Sequence, residues 1–321
     1  MSYAFVAAGL ILLVVGGEFL VRGSVSLAGR LGVSPLLIGL IVVGFGTSAP
    51  ELGVSIDAAL NNAPGIVIGN VIGSSIANIL LVFAFALMIA PMTSWPKTAI
   101  NDALVMVAAS FTLLGATYLG VIDLKMGLGF IAAIIIYLTA TYWMEKSSKP
   151  QKASTPDTLH EQEAHEFEDI PFTTTVAVLV SIGSIGVLVG GAHLLVTGAI
   201  TIARDFGISE SIIGLTLVAI GTSLPELATA IVAAARRHHD VILGNIIGSN
   251  IFNIFCVLGV TASITDITIE DRFRLIDGPI LVGTCLVLLV ILWRFKSIGR
   301  PVGLAFMLSY GAYMYFLYSG T

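Results

Sequence analysis

Apolar stretches of about twenty residues or more succeed one another along the chain, separated by short polar turns. Ten of them fall near 3–22, 33–60, 65–90, 100–120, 124–144, 172–200, 208–235, 240–263, 275–295 and 301–319. They run as continuous apolar blocks rather than alternating with polar residues, and their length suits a helix crossing a hydrocarbon core of about 30 Å. Lipid admits only helices or closed barrels, because backbone N–H and C=O groups find no water there. The pattern predicts an all-α polytopic membrane protein with ten transmembrane helices. The first stretch follows Met1 with no Lys or Arg before it and no small-residue cleavage site, so it is expected to be a retained span.

Two polar segments interrupt the apolar blocks, and they are copies of each other. Gly46-Thr47-Ser48-Ala49-Pro50-Glu51 returns as Gly221-Thr222-Ser223-Leu224-Pro225-Glu226, at an offset in numbering of 226 − 51 = 175. The same offset aligns Gly69-Asn70-Val71-Ile72-Gly73-Ser74, ending in Asn78, with Gly244-Asn245-Ile246-Ile247-Gly248-Ser249, ending in Asn253. From Gly44/Ala219 to Ile79/Ile254, 17 of 36 aligned positions are identical, and the identities include Thr, Ser, Pro, Glu and Asn. Apolar bias alone would not match those residue types, so the chain is a duplication. Five spans per copy is an odd number, which sends the second copy into the membrane in the opposite sense, as in transporters built from inverted repeats. The expected organisation is two inverted five-helix repeats, 1–144 and 172–321, joined by a linker over 145–171.

Charge sets the expected orientation. With the N-terminus outside, inner loops carry 11 Lys and Arg and outer loops 4, which places both termini outside and the linker in the cytoplasm of a cell membrane. The linker's Ser, Pro, Lys and acidic run (Glu161, Glu163, Glu166, Glu168, Asp169) read as a solvated tether, with a regulatory cation site as the alternative. His238 and His239 beside Asp240 read as an ordinary inner loop, with pH sensing as the alternative. Glu18 stands four residues before Arg22, a spacing that allows a pair on one helix near the inner interface, and its counterpart in the second copy is His193.

Composition agrees with a membrane setting. The chain is 56% hydrophobic and 11% charged, less than half the charge of an ordinary soluble domain. Its net charge of −5 sits mostly in loops and points to no nucleic-acid partner. Cys256 and Cys285 lie in apolar segments and are expected to be small buried side chains, not a disulfide framework.

Glu51 and Glu226 therefore carry the candidate chemistry. A charged side chain near the bilayer centre costs at least about 2.5 kcal/mol, so two at equivalent depths need partners. Protonated glutamates hydrogen-bonded to neighbouring helices would be a purely structural answer. The surroundings suggest another. Pro50 and Pro225 lack an N–H and crowd the carbonyl four residues back, which frees carbonyls around Gly46 and Gly221. Thr47, Ser48, Thr222 and Ser223 put hydroxyls in the same turns, while Asn70, Ser74 and Asn78, like Asn245, Ser249 and Asn253, share one helix face. Carboxylate, carbonyl, hydroxyl and amide oxygens are the ligands of hard cations such as Na⁺ and Ca²⁺, and no His or Cys joins them to suit zinc or copper. Two ionised glutamates balance one Ca²⁺ or two Na⁺, so the two loads can compete, which is the basis of exchange if the bare carrier crosses poorly. Gly39, Gly69, Gly73, Gly214, Gly244 and Gly248 are expected to allow close helix contact.

The paired GTS(A/L)PE and GN(V/I)IGS(S/N)I(A/F)N motifs resemble the alpha-1 and alpha-2 repeats of the sodium/calcium exchanger branch of the cation/Ca²⁺ exchanger superfamily, prokaryotic type. The resemblance spans essentially all of the transmembrane chain. It implies Na⁺/Ca²⁺ exchange by alternating access, three Na⁺ for one Ca²⁺, with the first and sixth spans sliding across the rest, no cofactor, and a monomeric working unit. It further implies that Glu51 and Glu226 are the shared Ca²⁺/Na⁺ carboxylates, and that the carbonyls of Thr47 and Thr222 complete the Ca²⁺ site. Ser48, Ser74, Ser223 and Ser249, with the carbonyls of Gly44 and Ala219, would serve flanking Na⁺ sites, and Asn78 and Asn253 would face the centre. Some relatives carry Asp where this chain has Asn253, which weakens a K⁺-coupled reading. Ser75 replaces the usual Asn of the first copy, whereas the second keeps Asn250. Asp57, opposite Val232, reads as a hydrated interfacial charge, with a role in cation access as the alternative. H⁺/Ca²⁺ exchange and Na⁺ exchange for another divalent ion stay open. An enzyme is disfavoured, since there is no HExxH, no paired intramembrane Asp and no His partner for Ser48. A passive channel is the remaining non-carrier reading.

Overall fold

The computed structural model describes residues 2–147, 172–206 and 219–319. The linker from 148 onward with its acidic run, the first part of the expected 208–235 span and Gly214 lie outside the described residues. What is described is helical apart from two short strands: α1 (Ser2–Leu31), α2 (Pro35–Thr47), α3 (Ala49–Leu60), α4 (Pro64–Ile89), α5 (Lys97–Thr117), β1 (Val121–Ile122), α6 (Leu124–Ser147), α7 (Thr174–Asp205), α8 (Ala219–Thr222), α9 (Leu224–Ala235), α10 (His239–Ala262), β2 (Ile267–Thr268), α11 (Phe273–Arg294) and α12 (Arg300–Ser319). Seven of these helices are long and apolar enough to cross a membrane, or eight if the bent pair α2–α3 counts as one span, among the described residues.

The expected single span over 33–60 is broken. Ser34 caps α2 through a hydrogen bond from Leu37 N (3.2 Å), and Pro35 fixes its first turn. Ser48 then leaves helical geometry at ψ 6°, and α3 departs from α2 at 41°. Pro50, which cannot donate, sits just inside the new helix, as proline prefers. Ser223 makes the same break at ψ 6°, one residue before α9, with Pro225 in the matching place. The far ends match as well. Asn62 (φ 55°) and Arg237 (φ 58°), equivalent positions of the two copies, both adopt the left-handed conformation. Behind them, Ala63 N donates to Ala58 O and His238 N to Ala233 O, which closes each helix with a Schellman motif.

α10 and α4 form the centre. Of the most apolar stretch of α10, 94% is buried, against 17% for α6, which leaves most of α6 facing outward. Both central helices widen into a π-helical turn that begins at a buried asparagine, Asn78 and Asn253. Glycines seat the helices backbone to backbone. A Cβ on Gly248 would stand 2.6 Å from Leu40 O, and one on Gly244 2.5 Å from Leu36 O, so α10 lies directly on α2. Gly127 and Gly259 do the same for α6 and α10, and Gly303 for α12 against Ala84 of α4.

α1 packs along nearly its whole length on α7, in the antiparallel sense. Gly198 meets Ser2 at one end, Gly9 and Gly191 meet in the middle, and Gly23 meets Ser181 at the other. Glu18 pairs with Arg22 as its spacing suggested, and also with Arg236 at the end of α9. Two loop contacts sew other helices together. β1 pairs antiparallel with β2, Ile122 opposite Ile267, while Met92 and Ile298 exchange backbone hydrogen bonds of 2.9 and 2.8 Å.

A buried carboxylate cluster between the two broken helices

The breaks at Ser48 and Ser223 bring the two glutamates together. Each opens a short helix, Glu51 in α3 and Glu226 in α9, and each is fully buried. Their carboxyls are within electrostatic reach of each other, and the environment is exchanged between the copies: Thr222 and Ser223 flank Glu51, whereas Thr47 and Ser48 flank Glu226. The Ser48 hydroxyl donates to Glu226 Oε1 at 3.3 Å. Both carboxylate oxygens of Glu51 and Oε2 of Glu226 are buried without any hydrogen-bond partner, as are Ser223 Oγ, Asn78 Oδ1 and both amide atoms of Asn253. A buried carboxylate oxygen with no donor is costly, and a cation removes that cost. The donor set is entirely oxygen-rich and hard, which fits Na⁺ or Ca²⁺. No group of three or more His, Cys, Asp or Glu able to hold a metal ion occurs among the described residues.

The other expected site residues make contacts of their own. The Thr47 hydroxyl is close to Glu226 but directed to Val43 O (3.0 Å) and Asn245 Oδ1 (3.1 Å). Ser249 Oγ reaches Gly44 O at 3.3 Å and Asn245 Oδ1 at 3.4 Å, and Gly44 O also takes the Ser48 N–H at 3.2 Å. Ser74 donates to Asn70 Oδ1 at 3.4 Å. Thr222 is buried, and Ala219 opens α8. Asp57 is exposed and accepts from Asn61 Nδ2 at 3.2 Å, as a hydrated charge near the helix end would.

Three asparagines have roles that their spacing alone did not reveal. Asn70 Nδ2 donates to the backbone carbonyl of Glu51 (3.0 Å) and to Ser55 Oγ (2.9 Å), and Asn245 Nδ2 donates to the carbonyl of Glu226 (3.5 Å). Each glutamate is thereby tethered by the asparagine of its own copy. Asn250 of α10 accepts from Asn78 Nδ2 at 3.3 Å.

A second duplicated acid lies in the helices behind. Asp102 of α5 and Asp277 of α11 are both buried, and their numbers differ by the same offset as the two glutamates (277 − 102 = 226 − 51). Tyr137 OH donates to Asp102 Oδ1 at 2.8 Å, and Tyr313 OH to Asp277 Oδ1 at 3.1 Å. Arg272 Nε adds 3.1 Å to Asp277 Oδ2. Carrying the repeat offset past Ile79 would have exposed this pair in the sequence.

Comparison with known proteins identifies the family. A family model described as sodium/calcium exchanger protein matches residues 1–143 and 176–319. The chain is 29% identical over 348 residues to sodium/calcium exchanger MaX1 of Methanosarcina acetivorans, covering 99% of both. It is 31% identical over 304 residues to inner membrane protein YrbG of Escherichia coli, covering 94% of this chain and 92% of that one. Among solved structures, the sodium-calcium exchanger NCX_Mj soaked with Na⁺ and Sr²⁺ superposes with a TM-score of 0.81 at 32% identity, covering 96% of each chain. With the duplicated motifs, the paired buried glutamates and a match across nearly its full length, the chain belongs to the sodium/calcium exchanger protein family.

Proposed function

We propose that this chain is a Na⁺/Ca²⁺ antiporter that carries three Na⁺ against one Ca²⁺ by alternating access, with both ions competing for the cluster around Glu51 and Glu226. One observation carries the reading: two fully buried carboxylates, one from each copy, keep three oxygens without a protein donor. In this reading Glu51 and Glu226 are shared ligands and the Thr47 and Thr222 carbonyls complete the Ca²⁺ site. Ser48, Ser74, Ser223 and Ser249 with the Gly44 and Ala219 carbonyls serve Na⁺, and Asn78 and Asn253 face the centre.

The architecture in this reading is ten spans in two inverted repeats, 1–144 and 172–321, working as a monomer in the cell membrane with both termini outside. Antiparallel packing of α1 on α7 supports the inversion. So does an exchange of contacts between copies, in which Gly127 with Gly259 answers Gly303 with Ala84. Asp102 with Tyr137 and Asp277 with Tyr313 repeat one contact inside each copy, which supports the duplication. The ten are reached by adding α12, which is 20 residues long, and the second broken span ending in α9 to the eight.

Uptake of radiolabelled Ca²⁺ into Na⁺-loaded proteoliposomes, with Na⁺, K⁺ and pH gradients varied separately, tests the proposal. Uptake should follow the outward Na⁺ gradient and be driven further by an inside-positive potential, because three-for-one exchange moves one net charge, worth roughly 2.3 kcal/mol per 100 mV. Uptake that ignores Na⁺ and follows pH would replace it with H⁺/Ca²⁺ exchange. Insensitivity to voltage would remove the three-for-one ratio.

A further inference from the structure

Asn78 and Asn253 occupy the same place in the two copies, but only one of them is fixed. Asn78 Nδ2 donates to Asn250 Oδ1 at 3.3 Å, which leaves its own Oδ1 buried and unpartnered. Asn250 in turn points its Nδ2 at the thioether of Met106, 3.5 Å away on α5. A thioether sulfur accepts weakly and cannot donate. The amide nitrogen of Asn250 is therefore the end that belongs against Met106, its oxygen is the end left for Asn78, and the Asn78 amide must then turn its nitrogen outward and its oxygen free. All three side chains are fully buried. Met106 lies one helical turn beyond Asp102, whose carboxylate is held by Tyr137 on α6.

The equivalent set of contacts around Asn253 lacks both members of this chain. Ser75 stands opposite Asn250 (250 − 175) and Leu281 opposite Met106 (106 + 175). Ser75 Oγ has no partner, and Asn253 has none at either amide atom. An amide oxygen attracts a cation and an amide N–H repels it, so orientation decides whether such a residue is a ligand.

We infer that Met106 and Asn250 form an orienting relay that keeps the Asn78 amide oxygen available as a cation ligand, whereas Asn253 has no such relay. Asn250 and Met106 are positioning residues, and the inference rests on the ion-site reading of the cluster. The test is Ca²⁺ exchange kinetics and equilibrium Ca²⁺ binding for Asn250→Ser, Met106→Leu and the double variant, each substitution installing the residue of the other copy. Each single change should raise the half-saturating Ca²⁺ concentration about fivefold, the worth of one neutral hydrogen bond, with maximal rate little changed, and Met106→Leu, which conserves volume, should also keep its thermal stability. Members acting in series should not add, so the double variant should match Asn250→Ser alone. Unchanged half-saturation in both singles, independent multiplying effects, or a loss of rate and stability without a change in half-saturation would each overturn the relay. Glu226→Gln separates the two levels. Ca²⁺ binding that survives it defeats the ion-site reading, whereas binding lost there but unaltered by Asn250→Ser and Met106→Leu defeats the relay alone.

Discussion

Ser48 of the first copy donates its hydroxyl to Oε1 of Glu226 in the second, across 178 positions of chain. Its counterpart Ser223 Oγ sits beside Glu51 but makes no hydrogen bond of ordinary geometry. The two equivalent serines are therefore unequal. Ser48→Ala should raise the half-saturating Ca²⁺ concentration by about tenfold to a hundredfold, in line with about 1.5–3 kcal/mol for a hydrogen bond to a charged group, and Ser223→Ala should raise it less. Proteoliposome uptake over a range of Ca²⁺ concentrations measures both.

Glu51→Gln and Glu226→Gln should each abolish Ca²⁺ transport while the protein still inserts and elutes as a folded species. Glutamine keeps the shape and removes the charge that balances a divalent ion. Near-normal exchange by either purified variant would remove that glutamate from the mechanism.

Tyr137→Phe and Tyr313→Phe should each destabilise the protein without abolishing exchange. Each deletes the hydroxyl from a buried aspartate, at a cost of about 1.5–3 kcal/mol. Thermal unfolding in detergent, set beside transport by the surviving folded fraction, separates stability from turnover.

Gly248→Ala should disrupt folding or assembly more severely than an alanine on Gly73, which meets nothing within 4 Å among the described residues. The added methyl would stand 2.6 Å from the Leu40 carbonyl and 2.9 Å from its Cα, and backbone cannot step aside as a side chain tip can. Yield of monodisperse protein and its melting temperature provide the comparison.

The apolar blocks and the constant offset between the two motif pairs were enough to find the helices and to single out Glu51 and Glu226, because both signals are local or periodic. Boundaries were less legible. The first helix was expected to stop near Arg22, but α1 runs to Leu31. Glu18 pairs with that arginine, and Gly23, Leu27 and Ala28 extend a buried face beyond it. Arg236, the other partner of Glu18, is 218 residues away, and no spacing rule reaches that far. Proline foretold the breaks, and the structure puts them at Ser48 and Ser223, two residues before each proline. The tyrosines on Asp102 and Asp277 are offset by 313 − 137 = 176, one more than the repeat, so an ungapped comparison misses them. Spacing placed Asn70, Ser74 and Asn78 on one face. It did not reveal that Asn70 holds the glutamate's backbone, since that depends on how α4 meets α3.

The two loop seams have a mechanical consequence. The β1–β2 pair rivets the α5–α6 turn to the α10–α11 turn, and the Met92–Ile298 bridge rivets the α4–α5 turn to the α11–α12 turn. Helices α4, α5, α6, α10, α11 and α12 are thus braced through their turns into one chassis. Among the described residues neither α1 nor α7 carries such a rivet, and the two meet along smooth glycine tracks. A displacement of the α1–α7 pair against that frame breaks neither seam.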